Sequence, residues 1–200
     1  MEADDLSLVE KARAGEPDAF RALVVRYQRK VYAVALGIVK DPDLAWDVAQ
    51  ETFLRVHRAL PEFEGKSAFS TWLFRIAGNL AIDALRARGT RARTLAESFR
   101  VVRGGLLATE PEAPLRLSRE EIRRVFDACA TVLSEKQKLV FVLRELEEKE
   151  SREVAEIVGC RESTVRNHLF QARRLLRDEL RKKFPEYAPE ARRGAQEAGA

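Results

Sequence analysis

The 200-residue sequence predicts an all-α protein with two small helical domains joined by a flexible linker. Hydrophobic residues make up 46% of the chain and charged residues 34%, and the abundant Leu, Ala, Arg and Glu are strong helix formers. Apolar residues recur at spacings of three and four, the period of a half-buried helix. This periodicity fades over residues 94–117, where Gly104-Gly105, Pro111 and Pro114 predict the linker.

The N-terminal domain, residues 1–93, is predicted to be a run of helices. A turn at Gly15-Glu16-Pro17 separates a short first helix from a long second one, for which Asp18 is the expected N-cap. Asp41 and Pro42 predict the next start, with Asp as N-cap and Pro at the first helical position. The elements expected after it are a helix over about residues 43–59, a loop over 61–67 and a helix over about 70–88.

The C-terminal domain is predicted to cover residues 118–183. Ser118 and Glu121 have the spacing of a capping box, and Ser134 is the expected N-cap of the next helix. Residues 184–200 are rich in Ala, Glu, Arg and Gly, which predicts a disordered tail.

A helix-turn-helix is predicted over Ser151–Phe170 (SREVAEIVGCRESTVRNHLF). Ala155 is the small residue at the helix crossing, and Gly159 accepts the positive φ of the turn. On the second helix, Arg, Asn and Gln side chains suit base edges and an apolar face suits a thymine methyl group. The expected DNA-contacting residues are Ser163, Thr164, Arg166, Asn167, Phe170, Gln171 and Arg174. Residues 161–183 carry eight Lys or Arg against three acids, which also favours a DNA partner.

Several classes of protein are excluded by what the sequence lacks. Cys129 and Cys160 lie far apart without a CxxC pair, so neither a disulfide framework nor a metal site is expected. His57 and His168 belong to different domains, and we find no catalytic constellation and no motif for a cofactor. The acidic N-terminus and the lack of an apolar run of ~20 residues predict a cytoplasmic protein without membrane insertion.

Two stretches of the N-terminal domain carry a family resemblance. They are DLAWDVAQETFLRVHRAL, residues 43–60, and FEGKSAFSTWLFRIAGNLAIDALRARGTR, residues 63–91. With the helix-turn-helix, they resemble the extracytoplasmic-function group of RNA polymerase sigma factors, of the envelope-stress sigma-E type. The resemblance implies that residues 1–93 are region 2, which binds core polymerase and the −10 promoter element. It implies that residues 118–183 are region 4, which reads the −35 element.

The resemblance also implies partners and site residues. The partners are core RNA polymerase, promoter DNA and an anti-sigma factor, with no small-molecule substrate. The residues expected to bind core polymerase form one outward stripe: Asp47, Gln50, Glu51 and Leu54. The residues expected at the −10 element are Phe63, Gly65, Lys66, Ser67, Arg75, Asn79 and Arg86. One departure is Gln171, which stands where the family often has an arginine, and it predicts an altered −35 preference.

Two other classes of function are consistent with a C-terminal helix-turn-helix. A free-standing repressor or activator binds DNA without polymerase, usually as a dimer, but the sequence has no evident dimer helix or ligand pocket. A resolvase-like recombinase needs a catalytic Ser or Tyr among clustered arginines early in the chain. Ser7 and Tyr27 have no such neighbours.

Overall fold

A computed structural model of the protein describes residues 4–96 and 119–187. Within these ranges the chain forms eight α-helices and no strand, which confirms the all-α prediction. The helices are α1 (Asp5–Arg13), α2 (Pro17–Val39), α3 (Pro42–Ala59), α4 (Phe69–Ala96), α5 (Arg119–Cys129), α6 (Glu135–Phe141), α7 (Ser151–Val158) and α8 (Glu162–Lys183). None of the described helices is both long enough and apolar enough to span a bilayer.

Helices α1 to α4 form the N-terminal domain, and two of them, α2 and α3, start at a proline. Asp41 accepts hydrogen bonds from the backbone N–H groups of Asp43 and Leu44, both at 3.1 Å, so its prediction as the N-cap of α3 is confirmed. The prediction of Asp18 as N-cap of α2 is wrong, because α2 begins at Pro17 and Glu16 is the N-cap residue. The fixed φ of proline suits the first helical position, which leaves Asp18 in the first turn.

Two described elements reach past the ends of the predicted helices. Helix α4 continues to Ala96, so the first residues of the predicted linker are helical. The rest of the linker, with Ser118, lies outside the described residues. At the C-terminus, Pro185–Tyr187 form a 3-10 turn in which Tyr187 stacks on Phe184 with ring centroids 6.1 Å apart. This aromatic pair continues the described structure for a few residues after α8.

Helices α5 to α8 form the C-terminal domain. Ser134 and Gln137 make a reciprocal capping box at the start of α6, which confirms Ser134 as its N-cap. A π-helical turn, Val142–Leu146, follows α6 and leads to the helix-turn-helix of α7 and α8. Gly159 ends α7 in the left-handed conformation at φ 69°, and Val165 is fully buried under the crossing of the two helices. The predicted helix-turn-helix therefore has the expected turn and the expected apolar anchor.

The two domains pack directly on each other in this structure. Buried side chains of α2 and α4 and buried side chains of α6, α7 and the π-helical turn belong to one continuous hydrophobic core. This packing joins the predicted −10 region to the predicted −35 region.

Replacing Gly159 with alanine is expected to lower the free energy of unfolding by about 1 kcal/mol, because an L-residue is strained in the left-handed region. A Cβ atom at this position meets no atom within 4 Å, so the loss reports backbone strain alone. Urea unfolding followed by circular dichroism measures it. Gly159→Asn is the control and is expected to lose less, since Asn tolerates this conformation. A Gly159→Ala variant as stable as the wild type contradicts the prediction.

Candidate nucleic-acid and protein interfaces

A cavity of ≈320 Å³ lies where the loop before α4 folds back over the first turns of that helix. Such a volume is at the small end of ligand pockets, which run from about 300 to 1,000 Å³. Gly65 adopts φ 70° at its rim, and a Cβ there meets nothing within 4 Å. The lining residues are Ala59, Glu62, Phe63, Glu64, Gly65, Lys66, Ser67, Trp72 and Arg75. All four loop residues expected at the −10 element are thus brought together.

Phe63 lies in the wall of this cavity and is largely buried. Its ring is only 8% exposed and stacks on Trp72 with centroids 4.7 Å apart, while Phe69 packs edge-on against it at 6.2 Å. Phe63 therefore forms part of the cavity wall, with one face of its ring covered by Trp72. Trp72 is half-buried and Phe69 is buried, so both serve mainly as core, as the helix periodicity predicts.

The charges of the cavity favour an uncharged ring over a phosphate. Glu64 forms an ion pair with Lys66, and Glu62 also faces the cavity, so two acids balance Lys66 and Arg75. A phosphate group placed there meets two carboxylates, which repel it. A nucleobase has polar edges without net charge, and it finds both donors and acceptors on these side chains.

Helix α4 carries the cationic residues expected beside this cavity. Arg75, Asn79 and Arg86 share one face and are all exposed. Arg88, two residues further along, pairs with Asp41 at 2.7 Å. The pKa of Asp41 is lowered first by the backbone N–H of Leu44 and further by the Arg88 guanidinium, so the N-cap of α3 stays ionised.

The predicted outward stripe on α3 is exposed in three of its four positions. Asp47, Gln50 and Leu54 are exposed, and Leu54 keeps 52% of its surface open to solvent. Glu51 is half-buried and accepts a hydrogen bond from Arg55 at 2.8 Å. An exposed leucine among polar side chains is typical of a protein-docking surface.

An apolar groove of ≈590 Å³ runs beside this stripe between α2 and α3. Its residues are Phe20, Val24, Gln28, Trp46, Ala49, Gln50, Phe53, Leu54 and His57. Trp46 is 51% exposed and packs edge-on against Tyr32 at 5.5 Å, a feature that the sequence analysis missed. The sequence feature that could have indicated this exposed ring is an aromatic residue on the polar side of α3, one position before Asp47.

Helix α8 presents most of the predicted DNA-contacting residues on one side. Ser163, Arg166, Asn167, Phe170 and Arg174 are exposed, and Phe170 keeps 63% of its surface open. Thr164 and Gln171 are half-buried. The opposite side of the helix is buried through Val165, Leu169 and Ala172, as the wheel predicts.

Four arginines surround Phe170 on the exposed side of α8. A cavity of ≈440 Å³ is lined by Arg166, Leu169, Phe170, Arg173, Arg174 and Arg177. Arg166 pairs with Glu162 at 2.8 Å and Arg173 pairs with Glu145 at 2.7 Å, so two of the guanidinium groups are held in place. Arg173 and Arg177 were not predicted, although their spacings of three and seven from Phe170 place them beside it. An apolar ring among cations suits a DNA groove.

The fold and these surfaces define a two-domain helical protein of the DNA-binding class. Two family models match the chain: Sigma-70 region 2 over residues 23–91 and Sigma-70, region 4 over residues 123–176. The chain is 38% identical over 181 residues to the ECF RNA polymerase sigma-E factor of Haemophilus influenzae, covering 88% of this chain and 95% of that protein. The chain belongs to the extracytoplasmic-function (ECF) group of RNA polymerase sigma factors.

Solved structures have the same fold. CnrH in complex with the cytosolic domain of CnrY matches with a TM-score of 0.67 and 26% identity, over 91% of this chain and 99% of CnrH. The sigma factor RpoE of Bartonella quintana, solved with the anti-sigma factor NepR, matches with a TM-score of 0.62 and 22% identity, over 82% of this chain and 98% of RpoE. Sigma factors act in transcription initiation, so the repressor and recombinase alternatives do not fit this membership.

Proposed function

We propose that this chain is a promoter-recognition subunit of bacterial RNA polymerase: it binds the core enzyme, reads two promoter elements and promotes DNA opening. The observation that carries the proposal is the joint presence of the region 2 and region 4 matches in one chain, each with a surface suited to its task. The domain limits proposed are residues 1–93 for region 2 and residues 118–183 for region 4. Residues 94–117 connect them.

The −10 element is captured at the cavity before α4. Opening a duplex requires a base to leave its stack and enter a pocket that reads its edge. Gly65, Lys66 and Ser67 border that pocket, and Asn79 offers an amide to a neighbouring base. Arg75 and Arg86 supply phosphate contacts along the same face of α4.

Core polymerase docks on the stripe of Asp47, Gln50, Glu51 and Leu54. The support is an exposed leucine ringed by polar groups and bordered by an apolar groove, which is the composition of an interface centre. Trp46 is added to this surface because its exposed ring lines the same groove. Polymerase performs the synthesis, and this subunit has no catalytic role of its own.

The −35 element is read by α8 in the major groove of DNA. Arg166, Asn167, Gln171 and Arg174 contact bases or phosphates, and Phe170 contacts a thymine methyl group. Ser163 and Thr164, in the first turn of α8, contact the DNA backbone.

An anti-sigma factor is the proposed regulator. The Bartonella quintana relative in fold was solved with one, and the apolar groove beside α3 offers a surface on which such a protein can compete with polymerase. The proposed place of action is the cytoplasm, where polymerase and promoter DNA are found.

The proposal is tested by gel filtration with core polymerase and by run-off transcription from promoter fragments. The purified chain is expected to co-elute with core and to direct transcripts with defined starts, while core alone gives none. If the chain neither co-elutes nor directs specific starts, the proposed function is wrong.

Replacing Gln171 with arginine is expected to shift the −35 preference toward guanine at one position, because Arg pairs with guanine and Gln with adenine. A good bidentate pair discriminates by about 1–3 kcal/mol, roughly 5- to 150-fold in affinity. Selection of bound duplexes from a randomised pool measures it. Gln28→Arg, a Gln to Arg change on α2 in the other domain, is the control for added charge. An unchanged consensus for Gln171→Arg shows that this side chain reads no base.

A further inference from the structure

Helix α1 is anchored to the rest of the N-terminal domain at both of its ends. Near its C-terminal end, the guanidinium group of Arg13 donates a hydrogen bond at 3.2 Å to the backbone carbonyl of Pro61. Near its N-terminal end, Asp5 accepts hydrogen bonds from Arg26 at 2.6 Å and from the hydroxyl of Tyr27. An isolated helix of 9 residues is not stable in water, so these contacts and its buried side hold α1 in place.

The contact made by Arg13 fixes the start of the loop that forms the ≈320 Å³ cavity before α4, here called the −10 cavity. Pro61 belongs to the 3-10 turn Leu60–Glu62, which leads from α3 into this loop. The two residues after Pro61, Glu62 and Phe63, both line the −10 cavity. Carbonyl groups at the end of a helical turn lack partners within the turn, and a guanidinium group satisfies one of them. Arg13 therefore holds the backbone directly beside two lining residues.

The contact made by Asp5 reaches the aromatic wall of the same cavity. The ring of Tyr27 lies 5.7 Å from the ring of Phe69, which in turn packs at 6.0 Å from Trp72 and at 6.2 Å from Phe63. Trp72 and Phe63 line the cavity. Burial, and after it the hydrogen bond to Asp5, raises the pKa of Tyr27, so the hydroxyl keeps the proton that it donates.

The two contacts therefore support different walls of one cavity from outside it. The described residues that line the −10 cavity include none from α1. The loop itself contains Gly65 at φ 70°, a residue that adds conformational freedom to the backbone. A binding site must hold its groups within about 0.5 Å of the productive geometry, and ordering a loose loop on binding costs affinity. A support that orders the loop in advance removes part of that cost.

We propose that α1 positions the −10 cavity, with Arg13 and Tyr27 as positioning residues. Arg13 orders the loop through the carbonyl of Pro61, and Tyr27 orders the aromatic wall through Asp5 and Phe69. Neither side chain contacts the nucleotide. The proposal rests on the proposed function, because it concerns the same −10 cavity. The docking stripe on α3 and the reading side of α8 take no part in these contacts.

Arg13→Ala tests the support of the loop. The probe is a labelled single-stranded oligonucleotide that the wild-type full chain has selected from a randomised pool. The variant is expected to bind it about five-fold more weakly, the effect of one lost hydrogen bond. The slope of log K against log salt is expected to stay unchanged, because Arg13 contacts no phosphate. A slope that becomes shallower by about 0.7, the value for one phosphate contact, overturns the positioning role.

The matched control for this change is Lys11→Ala. Lys11 is exposed on the same helix, so the variant loses the same charge at a distance of two residues from Arg13. It is expected to bind the oligonucleotide as the wild type does. Equal affinities of the two variants for the oligonucleotide overturn the proposal.

Oligonucleotides made abasic at each position in turn separate positioning from general loss of structure. In the wild type, binding is expected to weaken most where the captured base is removed. In Arg13→Ala this loss is expected to be smaller, because the variant and the missing base act on the same pocket and their effects are not additive. Binding of −35 duplex is expected to stay unchanged. A full abasic penalty in Arg13→Ala, or equal weakening of −35 duplex, overturns the proposal.

Tyr27→Phe tests the support of the aromatic wall, because it keeps the ring against Phe69 and removes the hydroxyl. The chain has two tryptophans, so in a Trp46→Phe background the emission comes from Trp72 alone. In that background Tyr27→Phe is expected to increase the quenching of Trp72 by acrylamide and to weaken binding of the selected oligonucleotide. Tyr32→Phe removes a hydroxyl from the same helix and is expected to change neither. Unchanged quenching and affinity in Tyr27→Phe overturn its role.

Failure of the proposed function gives a different result from failure of this proposal. A wild-type chain that selects no sequence from the single-stranded pool and gives no specific starts with core polymerase overturns both. A wild-type chain that selects a sequence, which Arg13→Ala and Tyr27→Phe then bind as tightly, overturns only the positioning role of α1.

Discussion

Leu54→Asp is expected to weaken binding to core polymerase by about 30-fold or more. A leucine at the centre of an interface contributes about 2 kcal/mol or more when it is a binding hot spot, and 2 kcal/mol corresponds to about 30-fold in affinity. A buried, unpaired aspartate adds the cost of desolvating its charge. Leu54 is 52% exposed in the free protein, so the change costs little folding stability. Fluorescence titration of labelled chain with core polymerase measures the loss.

The matched control for this change is Leu6→Asp. Leu6 is 61% exposed on α1, outside the stripe and the groove of α3, so it receives the same substitution at a comparable exposure. Its affinity for core is expected to stay within about two-fold of the wild type. Equal losses for the two variants, or none for Leu54→Asp, contradict the assignment of the α3 stripe as the docking surface.

Asn79→Ala is expected to slow promoter opening by about ten-fold while binding to core polymerase stays unchanged. Asn79 is exposed on α4 one turn beyond Arg75, which lines the base-sized cavity, and loss of a base-reading contact costs about 1–3 kcal/mol. Alanine is the better helix former, so the variant is not expected to unfold. The opening rate is measured with 2-aminopurine placed in the −10 element. Its fluorescence is recorded over time after the DNA is mixed with holoenzyme.

Asn167→Ala is the control for Asn79→Ala, because it removes another exposed asparagine from a helix at the opposite promoter element. It is expected to weaken binding of −35 duplex and to leave binding of the unpaired −10 strand unchanged. If Asn79→Ala instead abolishes binding to core, that residue belongs to the polymerase interface. If the two variants have the same effect on both probes, the assignment of the −10 and −35 elements to separate domains is wrong.

Most of the fold could be predicted from local chemistry. Asp41 with Pro42, Ser134 with Gln137, and Gly159 each define a helix end within a few residues, and the structure has an end at each of these places. Asp18 failed as a predicted N-cap because the neighbouring Pro17 is a stronger start signal. Helix α4 was predicted too short because its last turns are polar, and periodicity of apolar residues is weak there.

The surfaces were only partly predictable, because they depend on contacts between distant segments. The exposure of Trp46 and the groove beside it require α2 and α3 to pack at a particular angle. The burial of Phe63 could not be predicted either, because it depends on Trp72, which stacks on it from the next helix. The interface between the domains had no sequence signal beyond Gly37 and Gly78, since a glycine in a helix has several possible causes.

The most direct test of the sigma-factor assignment is the sequence content of the templates that the holoenzyme transcribes. Core polymerase with the purified chain is given duplexes randomised upstream of a reporter, and the transcribed templates are sequenced. Two enriched sequence blocks at a fixed separation are predicted, with Gln171→Arg altering only the upstream block. A single block, a variable separation, or no enrichment over core polymerase alone contradicts a protein that reads two promoter elements at once.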